Sequence, residues 1–427
     1  VTESFLHYIW QFQYFHKEEL QTSEGDSLQV FQPGNQNVNA GPDFSDARIK
    51  IGALEWRGSV EIHIKASGWN DHHHSSDQAY EKVVLHVVWD NDKPIYRTDG
   101  TMMPTLELKH RVEMTLWNRY RKLFTSVEII PCSSAWPKVP DIIKLSMLDK
   151  AVMQRLETKS LLIKSLLAEN RNDWEETSFQ LLCKNFGFKV NAEPMLQLAQ
   201  LLPYKVLLKH LDKLVQIEAL LLGQAGFLEK VKEDEYTKIL KREHRLLSTK
   251  YRLEPKEMKI VQWRFLRLRP ANFPTVRLAQ LAVLLSFQRN LFSKILEGSS
   301  YKQLVEMLDV EQSEYWQHHY QLGKKSKTRV PALGQSSIHN IMINTIVPLL
   351  VAYGQLQDDQ SYVDRATEIL QHLPAENNKI TRQWLDLGYT VKSSFDSQGL
   401  IELYNNFCMK RRCLDCTIGT HIIKAKI

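Results

Sequence analysis

An α/β N-terminal domain followed by a mostly α-helical C-terminal region is the fold class that this 427-residue sequence predicts. Three observations carry that reading. Apolar residues alternate with a period of two between about residues 28 and 108. From about residue 110 onward they recur at helical spacing, and turn-forming residues cluster where either rhythm breaks. We therefore expect two domains, 1–130 and 131–427.

Taken in order, residues 4–20 (SFLHYIWQFQYFHKEEL) place apolar and aromatic side chains at helical spacing. LQVFQ, ARIKI, VEIHIK, VVLHVVW and TLELK then read as strands, broken by PGN, AGPD, SGWND and DNDKP turns. SSDQAYEKV, between the third and fourth strands, reads as a short helix, which makes the order αβββαβ. Beyond residue 140 a long amphipathic helix follows VPD, with Asp141 as its expected N-cap. Six further helical segments follow between Gly, Pro and Asn breaks, without a regular repeat.

Composition excludes collagen-like and disordered classes: 43% of residues are hydrophobic, 24% are charged, and there are 17 Gly and 15 Pro. No run of about 18 apolar residues stands out, so a membrane-spanning helix and a membrane partner are not expected. The first residues lack a basic region followed by an apolar one, and the cytosol is the expected compartment. Charge is uneven. Residues 1–100 hold 8 Lys/Arg against 15 Asp/Glu and 7 of the 15 His, whereas residues 101–427 hold 47 against 34. An acidic, His-rich head on a basic body points to a metal site beside a surface for polyanions, or simply to unevenly solvated faces.

The stretch that carries chemistry is GPDFSDARIKIGALEWRGSVEIHIKASGWNDHHHSSDQAYEKVVLHVVW. It reads as two adjacent strands joined near Gly52. Asp43 stands at the start of the first, and Glu61, His63 and Lys65 alternate along the second. Carboxylates on neighbouring strands can converge on Mg²⁺ or Mn²⁺, with a nearby cation or imidazole to orient water. The competing reading is that these three side chains form the wet face of a half-exposed sheet. His72 and His74, on the loop that follows, are candidate ligands or phosphate contacts. His86, inside VVLHVVW, is either a satisfied core residue or part of the site. Should imidazoles join the carboxylates, Mn²⁺ and Zn²⁺ become the natural metals.

Pro42-Asp43, Glu61-Ile62-His63 and the αβββαβ order together resemble the PD-(D/E)XK nuclease superfamily, over roughly residues 1–110. The resemblance implies Asp43 and Glu61 as metal ligands, with His63 where that family has Lys. Lys65, two residues on, is a possible substitute. Imidazole lacks the fixed charge of Lys, which puts catalytic activity in question. Nearly the whole chain also resembles a bacterial family of unknown function, through GPDF, VEIH, HxHxxDxxY, LHVVW, RPANFPTVRLAQLA and the C-terminal cysteines. That second resemblance implies no activity.

Five cysteines are present. Cys408-x4-Cys413-x2-Cys416 supplies three thiols beside Lys410, Arg411 and Arg412, which are expected to lower their pKa values and favour metal ligation. Cys132 is the candidate fourth ligand. Zn²⁺ or an iron–sulfur cluster would suit four thiolates, and some PD-(D/E)XK nucleases have a cluster built this way. Free or redox thiols are the alternative. Cys183 reads as core. In the body, Arg267, Arg269 and Arg277 interleave with aromatic residues in a manner suited to phosphate contact and base stacking, or to linking two helices. Lys324 and Lys325, in a basic loop at 323–331, are further candidates for a nucleic-acid backbone, or a solvated turn.

The expected function is a metal-dependent phosphodiesterase acting on DNA or RNA. The alternatives are a non-catalytic module that binds nucleic acid or a partner, and a hydrolase of another substrate with a His-rich transition-metal centre.

Overall fold

The computed structural model describes residues 1–425 except 38, 75–76, 230, 254–256 and 299. It divides into two compact units, Val1–Met147 with Leu403–Ile427, and Leu148–Glu402. The expected boundary at 130/131 thus falls inside the first unit, and the last residues of the chain belong with the first.

In the first unit a mixed sheet is flanked by helices. Helix α1 (Glu3–Phe12) starts at Thr2, whose hydroxyl accepts the Phe5 N–H, and buries Phe5, Leu6, Tyr8, Ile9 and Trp10. It stops well before residue 20. Gln13 is in the left-handed conformation and its N–H closes the helix on the carbonyls of Ile9 and Trp10. The aromatic spacing continues past that point because Phe15 stacks back on Trp10.

The strands are β1 (Leu28–Gln32), β2 (Asn35–Gln36), β3 (Phe44–Ile51), β4 (Leu54–Lys65), β5 (Val83–Asp90) and β6 (Thr105–Glu107). Their order is β1-β3-β4-β5-β6, with β2 also paired to β3. β3 and β4 form an antiparallel hairpin around Gly52, which supplies the positive φ its tight turn needs. β4 pairs parallel to β5, and β5 parallel to β6. Residues 83–88 of β5 are all buried, as in a central parallel strand covered on both faces. This explains the nearly unbroken apolar run around His86.

The crossover from β4 to β5 holds one helical turn, α2 (Gly68–Asp71), and a 3₁₀ turn at Gln78–Tyr80. No full helix spans the described part of SSDQAYEKV; Ser75 and Ser76 lie outside the described residues. Helix α3 (Met114–Phe124) completes this unit and packs on the C-terminal helix Thr417–Lys424, where Arg119 donates to the Ile423 carbonyl.

Among the described residues the second unit is helical apart from a two-stranded ladder, His319–Gln321 with Lys324–Lys325, which occupies part of the expected basic loop. Helix α4 (Asp141–Glu169) has Asp141 as its first residue, not its cap, bound to the Lys144 ammonium. The run Gln335–Gln357 is long and apolar enough to cross a membrane by length and composition, but 72% of its most apolar window is buried in the structure, as in a core helix. Its side chains form part of the unit's main core. Pro348 sits inside this run. The π-helical stretch Met342–Ile346 just before it absorbs the hydrogen bond that proline cannot make. Asn185 fills the resulting gap, donating to the Asn344 carbonyl and the Thr345 hydroxyl.

Gly58 marks the tightest point of the sheet. A Cβ there would meet the Lys82 carbonyl and come within 2.5 Å of Val84. Gly58→Val should therefore cost about 1–3 kcal/mol. Thermal unfolding followed by circular dichroism would show a lowered midpoint, and an unchanged midpoint would contradict this packing.

A candidate metal centre at the junction of two strands

The register places Phe44 of β3 opposite Val60 of β4. Asp43 therefore sits one residue before β3, beside Glu61. The two carboxylates reach across in opposite directions: Asp43 Oδ2 accepts the Ile62 N–H at 2.9 Å, and Glu61 Oε2 accepts the Asp43 N–H at 3.1 Å. The free oxygen Oε1 of Glu61 lies 3.3 Å from His74 Nε2 and 3.7 Å from His63 Nε2. His63 Nε2 is in turn 3.4 Å from His72 Nδ1. One ligand atom each from His63, His72 and His74 fall within 4.8 Å of one another.

A second layer holds these groups in place. His63 Nδ1 is 2.9 Å from Nε2 of His86, which is completely buried. Tyr80 stacks on His74 with ring centroids 3.8 Å apart, and Trp69 packs its edge against His74 and His86. Gly68 is required for this arrangement, because a Cβ at that position would lie 2.8 Å from the His63 ring. On the open side, His7 from α1 puts Nε2 3.3 Å from Asp43 Oδ2, and His72 is exposed.

Burial sets the electrostatics. Glu61 is pushed up to about 8, first by burial and then by the charge of Asp43. His63 falls to about 4 through burial, then His74 and His72, while His74 falls through burial and then His72. His86 falls to about 3 for the same primary reason. At neutral pH the imidazoles of His63 and His74 are therefore uncharged, with lone pairs available to a cation. Ligation through His63 Nε2 leaves the proton on Nδ1, donated to His86 Nε2. Imidazole with carboxylate suits Mn²⁺ or Zn²⁺ better than Mg²⁺.

Of the residues expected at the site, His63, His72 and His74 form the grouping, Glu61 Oε1 lies beside His74 and His63, and Asp43 is bonded to the Ile62 N–H and faces His7. Glu61 and His63 are 5% and 2% exposed, so the wet-face reading is overturned. His86 stands behind His63, away from the opening. Lys65 does not join: it is exposed near the end of β4, and its charge acts on Asp92. His7 and Gly68 were not singled out from the sequence. His7 left a signal only in the excess of histidine near the N-terminus.

Elsewhere, Arg267, Arg269, Lys324 and Lys325 are exposed in the second unit. Arg277 is not a surface cation. It is 5% exposed, bonded to Asn272, Gln280 and Ser337, and laid over the Phe188 ring. Cys183 is in the core. Cys132, Cys408, Cys413 and Cys416 are buried free thiols of the first unit. The expected lowering of their pKa values is not found. Burial, followed by neighbouring thiols, pushes Cys132 and Cys413 up to about 12, and Arg411 offsets only part of the rise at Cys413.

Residues 3–379 match the profile of a family described as "Protein of unknown function (DUF2851)". The chain belongs to that family. No curated protein and no solved structure matches it. Every residue of the strand-junction site lies inside the DUF2851 span, whereas Cys408, Cys413 and Cys416 lie beyond it. No comparison supports a link to PD-(D/E)XK nucleases.

Titration calorimetry with Mn²⁺ or Zn²⁺ tests the centre. His63→Ala and His74→Ala should abolish binding attributable to it. His86→Leu, which touches no ligand position, should weaken it about 10–100-fold by releasing the His63 ring. Equal affinity in wild type and all three variants would rule the centre out.

Proposed function

We propose that this protein is a metal-dependent phosphodiester hydrolase acting on nucleic acid. The observation that carries the reading is the grouping of three imidazoles at the end of the β3–β4 pair away from its turn, with Glu61 Oε1 beside His63 and His74 and Asp43 bonded to the neighbouring Ile62 N–H. Asp43 and Glu61 with His63, His72 and His74 are the residues that would hold the metal. When bound, a divalent cation supplies Lewis acidity and an acidified water.

The chain's own residues do the rest. Asp43 and Glu61 fix each other through the backbone, so their oxygens are oriented before anything binds. His86 holds His63 in one orientation. Trp69 and Tyr80 shield the inner side of His74 from solvent. His72 and His7 border the open side, where a phosphodiester would approach and where an imidazole can take or return a proton. Arg267, Arg269, Lys324 and Lys325 are proposed contacts for the nucleic-acid backbone.

A second reading has its own support. Three clustered imidazoles are also suited to a transition-metal hydrolase of a smaller phosphoester, with no need of a nucleic-acid surface.

The test uses labelled single-stranded DNA, duplex DNA and RNA, alongside a chromogenic phosphodiester, with Mg²⁺, Mn²⁺ or Zn²⁺. Cleavage of nucleic acid with Mn²⁺ or Zn²⁺ is expected, falling about 100-fold or more in Asp43→Asn and Glu61→Gln. Hydrolysis of the small diester alone would favour the second reading. Metal binding with no hydrolysis of any substrate would sink both.

A further inference from the structure

A cavity of about 620 Å³ opens in the first unit, lined by the chain that leaves α1, by the start of α3 and by the end of the C-terminal helix. That volume lies within the range of pockets that hold small organic ligands. None of the lining residues belongs to the strand-junction site.

Three of them are cations, Arg111, Arg119 and Lys424, and each is held by neutral partners. Arg111 donates to the carbonyls of Glu18 at 3.1 Å and Glu19 at 3.0 Å, which fixes the chain beyond His16. Arg119 donates to the Ile423 carbonyl at 3.3 Å. The Lys424 ammonium lies over the rings of Phe12 and Tyr14, 5.0 Å and 4.9 Å from their centroids. Among the described residues none of the three forms an ion pair with a carboxylate. Glu113 is the carboxylate of the lining, and it accepts from the Thr115 hydroxyl at 3.3 Å. Positive charge therefore outweighs negative here, inside a head that is acidic as a whole.

The other walls include Tyr14, Phe15 and Leu116. Phe15 is fixed by stacking on Trp10, and Tyr14 by Phe12, whose ring is 24° from parallel. Gln13 gives its Nε2 to the Trp10 carbonyl at 2.8 Å and keeps a buried Oε1 without a partner. The lining thus combines guanidinium and ammonium groups for an anion, a fixed aromatic wall for a flat ring, and one acceptor that still lacks a donor.

We propose that this cavity binds an organic phosphate carrying a planar ring, of the size of a mononucleotide, with its phosphate at Arg119 and Lys424 and its ring against Tyr14. The site is separate from the strand junction and does not rest on the hydrolase reading. An inorganic anion alone would leave most of the cavity unfilled. A fatty chain would cover cations without pairing them, which is costly. Arginine beside an aromatic ring, in contrast, suits a phosphate and the base next to it. A free nucleotide and the terminal nucleotide of a strand share that chemistry.

The experiment is calorimetric titration of the full chain in a chelator, so that the strand-junction site holds no cation. The probes are adenosine monophosphate, uridine monophosphate, adenosine, inorganic phosphate and a 5′-phosphorylated dinucleotide. The monophosphates should bind at least about tenfold more tightly than adenosine or phosphate. Arg119→Gln and Lys424→Gln should each weaken them about tenfold or more. Tyr14→Leu should weaken the monophosphates and leave phosphate unchanged. His63→Ala should bind as the wild type does, whatever becomes of the metal centre. Lys424 is exposed at a helix end, so its variant keeps the test readable should Arg119→Gln fail to fold. Tighter binding of the dinucleotide would assign the site to a strand end, and weaker binding to a free nucleotide. Phosphate binding as tightly as the monophosphates would overturn the assignment of a ring. No binding of any probe, equal binding in both charge variants, or loss in His63→Ala would overturn the proposal.

Discussion

Two carboxylates reach across between the start of β3 and the second half of β4 in opposite directions, and the geometry of the candidate site depends on that crossing. β3 begins at Phe44, so the Ile62 N–H on β4 has no strand residue to pair with. Asp43 Oδ2 takes that N–H, and Glu61 returns the bond to the Asp43 backbone. A backbone donor left unpaired there would cost about 1–3 kcal/mol. The bond from Glu61 Oε2 to the Asp43 backbone therefore leaves Glu61 Oε1 beside His74 and His63. Structure and chemistry share the same atoms, which is why the Pro-Asp-Phe turn and the Glu-Ile-His segment act as one unit.

Concentrating these groups runs against the stability of the bare fold. Glu61 is pushed up because its charge is poorly solvated and faces Asp43, and the imidazoles are pushed down because theirs are poorly solvated and face each other. These shifts have a common origin, the removal of water from a polar cluster. A cation held there would reverse the balance, since it would favour ionised carboxylate and neutral imidazole together. The surrounding sheet, with its apolar β5 and the buried face of α1, supplies the hydrophobic burial against which such a cluster can be maintained.

Much of this was legible in the sequence. The five main strands announced themselves by alternation, and Trp174–Phe186, Glu235–Tyr251 and Pro274–Phe287 by helical spacing. Asp43 and Glu61 were legible because a strand start and an alternating partner constrain each other. What escaped depends on contacts between distant residues. α1 stops at Gln13 through backbone conformation, while its aromatic spacing runs on. Arg277 reads as a surface cation beside other arginines, yet Asn272, Gln280 and Ser337 consume its donors. Pro348 signals a break, and only the π-helical turn before it keeps the run continuous. Arg411 was equally hidden: local charge density suggested an electrostatic role, whereas its partners include the carbonyls of Ser126 and Glu128, far earlier in the chain.

The choice of an imidazole at position 63 follows from the same packing. At 2% exposure, an ammonium there would have to be desolvated, and its compact charge would need an anionic partner at close range. A neutral imidazole avoids that cost but brings a second nitrogen that must be satisfied. His86 meets the need from the adjacent strand, where the parallel register brings β5 alongside β4. The ring also needs room, which Gly68 provides. His63, His86 and Gly68 therefore form one device: a polar residue inside an apolar strand, a glycine at the start of a single helical turn, and an imidazole in place of a cation. Lys at position 63 would leave His86 without its partner and put a charge that burial must desolvate beside His72 and His74. Such a chain would lose the three-imidazole grouping that makes this place a candidate for a metal.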